Sequence, residues 1–321
     1  MNGLSLTALL DRHLTDAQVK TYAASAALVM AASLVGLKTL GYFATDSISL
    51  LSSLLDSASD IVASLGTYVG VRTALRPADE DHRFGHGKAE AMSALGTAAF
   101  VLGSASFLVI EAVGRLFSRQ AVALSAVGVG VMVVSMLATL ALILFQKYAV
   151  KRTGSTAIAA DEVHYTADFA SNGAVIVALL LTGWTGLSFI DSFAGIAIAL
   201  WLVAKVVPVA RQAVDMLMDK EMPDADRARI LALTTAHPLV KGVHDLRTRQ
   251  SGTALFVELH VEFDPDLSLF KAHAVGTQIE SAIKSAFTGA DVMIHFDPEG
   301  VEEHRLDDKI KSAGPPSAMP E

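Results

Sequence analysis

Asp56 and Asp60 stand four residues apart, and so do His164 and Asp168. Each pair lies inside a long apolar run. On a helix that spacing puts both members on one face. If the two faces meet, three carboxylates and one imidazole converge, a donor set that tetrahedral Zn²⁺ accepts. Two ionised aspartates one turn apart repel each other, so a cation or bound protons must relieve them. An ionisable group at bilayer depth costs at least about 2.5–3.5 kcal/mol on insertion scales, and those that persist usually face a cavity or a partner. Asn172, a turn beyond Asp168, either orients a ligand or bonds between helices. Lys38, Glu111 and Asp191 also fall within or beside apolar runs, and spacing assigns Lys38 no role.

Two further groups have the chemistry of metal ligands. Asp79, His82 and His86 sit in one polar loop, enough for a three-ligand site with room for water. His244, His260, His273 and His295 come from two strands, a helix and a third strand, and Asp297 shares a strand face with His295. With Asp297 as a bridge, that group would hold two metal ions. His13, His237 and His304 fit no cluster and read as surface residues.

The elements that must position these residues follow from hydropathy. A bilayer span needs about 20 mostly apolar residues. Six stretches qualify: Tyr22–Phe43, Ile48–Ala74, Ala89–Phe117, Val122–Tyr148, Thr156–Thr182 and Leu187–Val209. Short connections make neighbours antiparallel, so the fold expected is an α-helical six-transmembrane bundle. Arg12, Lys20, Arg72, Arg76, Arg83, Lys88, Lys147, Lys151, Arg152, Lys205 and Arg211 fall on one side, and Arg115 and Arg119 on the other. The richer side is cytoplasmic by the positive-inside rule, which places both termini there. Residues 213–300 read as a cytoplasmic α+β domain, α-β-β-α-β: a helix from Pro223, strands Val243–Gln250 and Ala254–Phe263 around Ser251-Gly252, a helix Ser268–Phe287 and a strand Asp291–Phe296. The expected organisation is a cytoplasmic segment 1–20, a membrane domain 21–212, the α+β domain 213–300 and a disordered tail 301–321.

Composition supports this division. Of the Asp, Glu, Lys and Arg residues, 28 lie in positions 220–321 and 30 in the 219 before them, so the last third is about twice as densely charged. With no cysteine, disulfides, thiolate ligands and thiol nucleophiles are excluded. Ligands must be His, Asp, Glu or backbone oxygen. A net charge of −8 argues against nucleic acid. No phosphate-binding G-x-x-x-x-G-K-[ST] occurs, so no direct use of ATP is expected. The polar residues before the first apolar run do not read as a signal peptide.

Together the strings Leu55-Asp-Ser-Ala-Ser-Asp60, Arg83-Phe-Gly-His-Gly-Lys-Ala-Glu90, His164-Tyr-Thr-Ala-Asp168, His244-Asp-Leu-Arg-Thr-Arg-Gln-Ser-Gly252 and Ile294-His-Phe-Asp-Pro298 resemble the cation diffusion facilitator family, in particular bacterial zinc and ferrous-iron efflux transporters. The resemblance implies that Asp56, Asp60, His164 and Asp168 form the transport site, carrying Zn²⁺ and often Cd²⁺ or Fe²⁺. It implies a loop site at Asp79, His82 and His86. It also implies a binuclear site at His244, His260, His273, His295 and Asp297 in a metallochaperone-like domain, where Zn²⁺ is a structural or regulatory ion. A homodimer in the bacterial inner membrane, proton exchange, and an interlocking Lys88–Asp219 salt bridge near the membrane surface belong to the same pattern. Phe296 departs from the Gln that close relatives carry. The His-rich loop of many eukaryotic members, between the fourth and fifth spans, is absent.

The function expected is export of a divalent metal in exchange for protons by alternating access. Metal binding needs neutral imidazole and ionised carboxylate, so it releases protons. The alternatives are a passive metal channel and a metal-sensing membrane protein. A metalloenzyme would keep an open coordination position and a general base, and no H-E-x-x-H is present.

Overall fold

A computed structural model of the chain describes residues 14–45, 48–117, 126–185, 189–301 and 304–313. The chain divides into two compact units, Met1–Asp215 and Met216–Glu321.

Among the described residues the first unit holds six long helices: α1 (Asp16–Thr45), α2 (Ile48–Ala74), α3 (Lys88–Phe117), α4 (Ala126–Thr153), α5 (Thr156–Thr185) and α6 (Phe189–Leu217). Helix α1 packs on α2 and α4, α3 on α2 and α5, and α4 on α5. Small residues set the closest approach. A Cβ at Gly70 of α2 would lie 2.4 Å from the Cβ of Ser93 on α3, and the Ser93 hydroxyl donates to the Gly66 carbonyl at 3.1 Å. Such small-residue contacts are how membrane helices approach without a hydrophobic drive between them.

Four helices among the described residues are long and apolar enough to cross a membrane: Asp16–Phe43, Lys88–Gly114, Gly130–Thr153 and Phe193–Leu217. They belong to α1, α3, α4 and α6. Helices α2 and α5 carry Asp56, Asp60, Asp161, Glu162, His164 and Asp168, and these charges lower their hydropathy.

Several helices run beyond the expected spans. Helix α4 continues to Thr153, where Gly154 takes a positive φ of 63°. Only glycine adopts that conformation without steric cost. Ser155 then starts α5, its hydroxyl accepting from the Ile158 N–H at 3.4 Å, as an N-cap does. Lys20, expected in a polar leading segment, lies inside α1 and is 2% exposed. Its ammonium donates to Glu90 at 2.6 Å, and the Ser155 hydroxyl donates to the other Glu90 oxygen at 2.8 Å. Each polar group is satisfied, which burial requires. His13 and Arg119 lie outside the described residues.

The second unit contains α7 (Asp224–Thr235), β1 (Gly242–Ser251), β2 (Ala254–Phe263), α8 (Leu269–Ala286), β3 (Ala290–Pro298) and α9 (Leu306–Ala313). The sheet order is β1-β2-β3, antiparallel then parallel, so α8 is the crossover. The hairpin turns at Gly252-Thr253, one residue later than expected, with Gly252 at φ 61°. Val257, Leu259, Val261 and Phe263 alternate along β2, and all are at most 3% exposed. They meet Ala272, Val275, Ile279 and Ile283 of α8.

Disorder expected from Val301 does not hold for residues 306–313, which form α9. The physical reason is a partner far upstream. Asp245, at φ 51° beside a break in the β1 register, accepts from the Leu306 and Asp307 N–H groups at 2.8 and 2.9 Å. Asp307 accepts the Asp245 N–H at 3.1 Å. A short polar helix is marginal alone, and this reciprocal cap supplies what it lacks. Residues 314–321 lie outside the described residues.

Candidate metal centres

Three groups of His and carboxylate converge among the described residues. In the helical unit the members are Asp60 of α2 and His164 and Asp168 of α5. Their ligand atoms all lie within 4.8 Å of one another. His164 Nε2 is 3.3 Å from Asp60 and 3.7 Å from Asp168. His164 is 3% exposed, and neither its Nε2 nor Asp168 Oδ2 has a hydrogen-bond partner. Buried polar atoms are nearly always partnered, so unpartnered donors aimed at each other fit a ligand set.

Asp56, the fourth expected ligand, is not brought into this group. It lies one turn from Asp60 with an exposed side chain. Lys38 is buried on α1, donates to the Ser57 hydroxyl at 2.6 Å, and stands within electrostatic reach of Asp60, Asp168 and Asp56.

Neighbouring side chains fix the His164 ring. Phe100 of α3 meets it edge to face at 5.4 Å. The next residue, Tyr165, points elsewhere: its hydroxyl donates to the Ala27 carbonyl of α1 at 3.1 Å and bonds Ser64 of α2 at 2.7 Å. Asp161 is fully buried, accepting from Gln146 at 2.6 Å and Thr67 at 3.4 Å. Spacing alone did not single out Asp161, Gln146 or Glu90. Their partners come from other helices, between 15 and 94 positions away.

The loop group is pre-shaped. Asp79 accepts the His82 N–H at 2.8 Å and lies 3.2 Å from His82 Nδ1. His86 Nε2 is 3.3 Å from Asp79, while its Nδ1 faces the Pro77 carbonyl at 3.2 Å. The two imidazoles are 4.4 Å apart. The His82 N–H donated to Asp79 holds its carboxyl below the usual range.

In the second unit, strand register does the positioning. His244 pairs with His260, and His260 with His295, so three imidazoles form a row across the sheet. In the adjacent row Glu262 lies between Gly242 and Asp297. His260 Nδ1 is 2.8 Å from Asp297, His295 Nε2 is 3.1 Å from it, and His244 Nε2 is 3.6 Å from it. His244 is 6% exposed, and neither ring nitrogen makes a hydrogen bond. Three imidazoles around one carboxylate, with buried orphan nitrogens, suit a borderline metal such as Zn²⁺.

His273 lies exposed on α8, outside this group. Glu262 was not singled out by spacing. Its Oε1 is 2.9 Å from His244 Nδ1, off the hydrogen-bond line, and a Cβ at Gly242 would sit 2.6 Å from its other oxygen. Phe296 turns to the opposite face from His295 and Asp297. A Cβ at Gly276 of α8 would lie 2.5 Å from its ring, and it meets Phe263 edge to face at 5.7 Å. The departure at Phe296 therefore adds to the core side rather than to the histidine row. Lys88 is the first residue of α3. Asp219 follows α6 at φ 54°, 4.0 Å from Arg249.

Residues 24–218 match the cation efflux transmembrane domain, and residues 222–299 match the cytoplasmic domain of cation efflux proteins. The cation-efflux pump FieF of Klebsiella pneumoniae is 41% identical over 279 residues, covering 87% of this chain and 93% of its own. FieF of Serratia proteamaculans is 42% identical over 276 residues, covering 86% and 92%. The metal-bound C-terminal domain of the CzcD transporter from Thermotoga maritima is 30% identical, covering 25% of this chain and 93% of its own, at a TM-score of 0.24. With matches to both domains over residues 24–218 and 222–299, and relatives about 41% identical over most of its length, the chain belongs to the cation diffusion facilitator family, whose members are multi-pass membrane transporters of divalent metal cations rather than enzymes.

Proposed function

We propose that the chain exports Zn²⁺ across the bacterial inner membrane, out of the cytoplasm, in exchange for protons. The observation that carries this reading is the Asp60–His164–Asp168 group, in which the buried, unpartnered His164 Nε2 of α5 lies 3.3 Å from Asp60 of α2 and 3.7 Å from Asp168 one turn along α5. Metal and protons need the same lone pairs, so they compete. Imidazole, with an ordinary pKa near 6.5, changes charge close to neutral pH. A site facing the cytoplasm loads metal and releases protons. A site facing outward takes protons and releases metal. In this reading Asp56, one turn along α2, is the fourth donor, and Cd²⁺ and Fe²⁺ are secondary cargoes because carboxylate and imidazole accept them as well.

The same reading puts both termini in the cytoplasm, on the side rich in Lys and Arg, and makes the working unit a homodimer with Lys88 and Asp219 as its interlock. Asp79, His82 and His86 receive metal at the loop. His244, His260, His295 and Asp297, with His273, hold the resident ions of the cytoplasmic domain. An ion there would tie three strands together and make the domain responsive to cytoplasmic metal.

The test is Zn²⁺ flux in proteoliposomes with an imposed pH gradient. Flux should follow the gradient and vanish in Asp60→Ala. Flux that ignores the gradient would identify a passive channel, and metal binding without flux would identify a sensor.

A further inference from the structure

The tail helix α9 lies beyond the family match, which ends at residue 299. It nevertheless reaches the histidine row. Arg305, the residue before α9, places Nη2 2.5 Å from Glu262 Oε1. That oxygen is also the one 2.9 Å from His244 Nδ1. Glu262 is 13% exposed and Arg305 36%, so water screens the pair only partly. Next to His244 in sequence, Asp245 holds the first turn of α9 through the Leu306 and Asp307 N–H groups. The tail is thus anchored on both sides of a single imidazole.

We propose that Arg305 is a resident cation of the cytoplasmic cluster, held on Glu262 by the tail helix, and that it sets the cluster's affinity for metal by opposing the charge of an arriving ion. This rests on the reading that His244, His260 and Asp297 bind metal. Arg305 acts through Glu262 and is a positioning residue rather than a ligand. Two effects pull in opposite directions. By fixing Glu262, Arg305 helps orient His244, as outer partners do at metal sites. By charge, it repels a divalent ion bound a few ångströms away. The misaligned Glu262–His244 contact gives orientation little to lose, so repulsion dominates. Linkage requires the converse: metal in the cluster weakens tail docking by the same factor.

The experiment is Zn²⁺ titration calorimetry on the full chain in detergent, in an Asp60→Ala, Asp79→Ala background so that the cytoplasmic cluster is the site titrated. Arg305→Gln should bind about tenfold more tightly, the scale of a partly screened like-charge repulsion. Arg305→Lys, which keeps the charge, should bind as the parent does. In a Glu262→Gln background, Arg305→Gln should change affinity little, because the anchor is gone. Weaker or unchanged binding in Arg305→Gln overturns the proposal, as does an equal effect with and without Glu262. His260→Ala separates the two ideas. If it leaves Zn²⁺ binding intact, the cluster reading fails and the proposal fails with it. If it abolishes binding and Arg305→Gln still does not tighten, the proposal alone falls.

Discussion

The helical unit and the sheet unit each gather imidazole and carboxylate, by different means. In the helical unit, ligands come as pairs one turn apart on α2 and α5, and the group exists only where two helix faces meet. Asp60 reaches it, and Asp56, one turn away, does not. In the sheet unit, register alone sets His244, His260 and His295 side by side, and the backbone ladder holds that spacing. A group assembled from separate helices changes when one helix turns or slides. A group on one hydrogen-bonded sheet does not. The first suits an ion that must be released, and the second an ion that stays.

The largest expected effect breaks the comparison at its centre. His164→Ala should reduce gradient-driven Zn²⁺ flux to the level of empty vesicles, whereas His260→Ala should cost metal in the cytoplasmic unit and leave measurable flux. Equal loss in both would erase the distinction. Next is the buried Lys20–Glu90 pair of the helical unit. Glu90→Ala should destabilise the purified protein by about 3–5 kcal/mol, because it strands the Lys20 ammonium among apolar side chains. Thermal unfolding in detergent reads this, and Lys20→Met combined with Glu90→Ala should recover much of the loss. A core change in the sheet unit, Ile283→Ala, should cost about 2–5 kcal/mol, visible in the cytoplasmic unit's unfolding transition while gradient-driven flux at low temperature stays close to the parent's.

The smallest effect concerns the tail. Burial alone would raise the Asp245 carboxyl, but the Leu306 and Asp307 N–H groups outweigh it and hold the carboxyl below its ordinary 3.8. A depressed carboxyl contributes stability that is full above the ordinary value and lost as pH falls through the folded one. Docking of α9 should therefore persist at pH 5 and weaken below 3.8. The chain has no cysteine, so a spin label at exposed Ile310→Cys reports tail mobility without interference. Asp245→Asn, a neutral mimic, should raise that mobility at pH 7.

Sequence patterns revealed what short periods encode. The alternation of β2 gave both its core face and the placement of His260, and the i, i+4 pairs marked α2 and α5. What stayed hidden depends on packing between distant residues. Helical spacing puts Asp56 and Asp60 on one face but cannot say where the neighbouring helix ends its contact. Lys20 reads as a leading polar residue because its partner Glu90 is 70 positions away. Glu262 reads as one more polar residue of an alternating strand, and what makes it distinct is Gly242 opposite, His244 beside it and Arg305 from the tail. Helix α9 is short and polar, and its cap is supplied from 61 positions upstream.

Tyr165 has one further consequence. It follows His164 directly, yet its hydroxyl fastens α5 to the Ala27 carbonyl of α1 and to Ser64 of α2. The imidazole therefore cannot swing about the α5 axis while that rivet holds. Either three helices travel together as a raft, keeping the His164 group with them, or the rivet must shear first. The gate of such a machine would lie at the raft's outer seams, and its stiffness would be set by a phenol whose hydroxyl bonds to neighbouring helices.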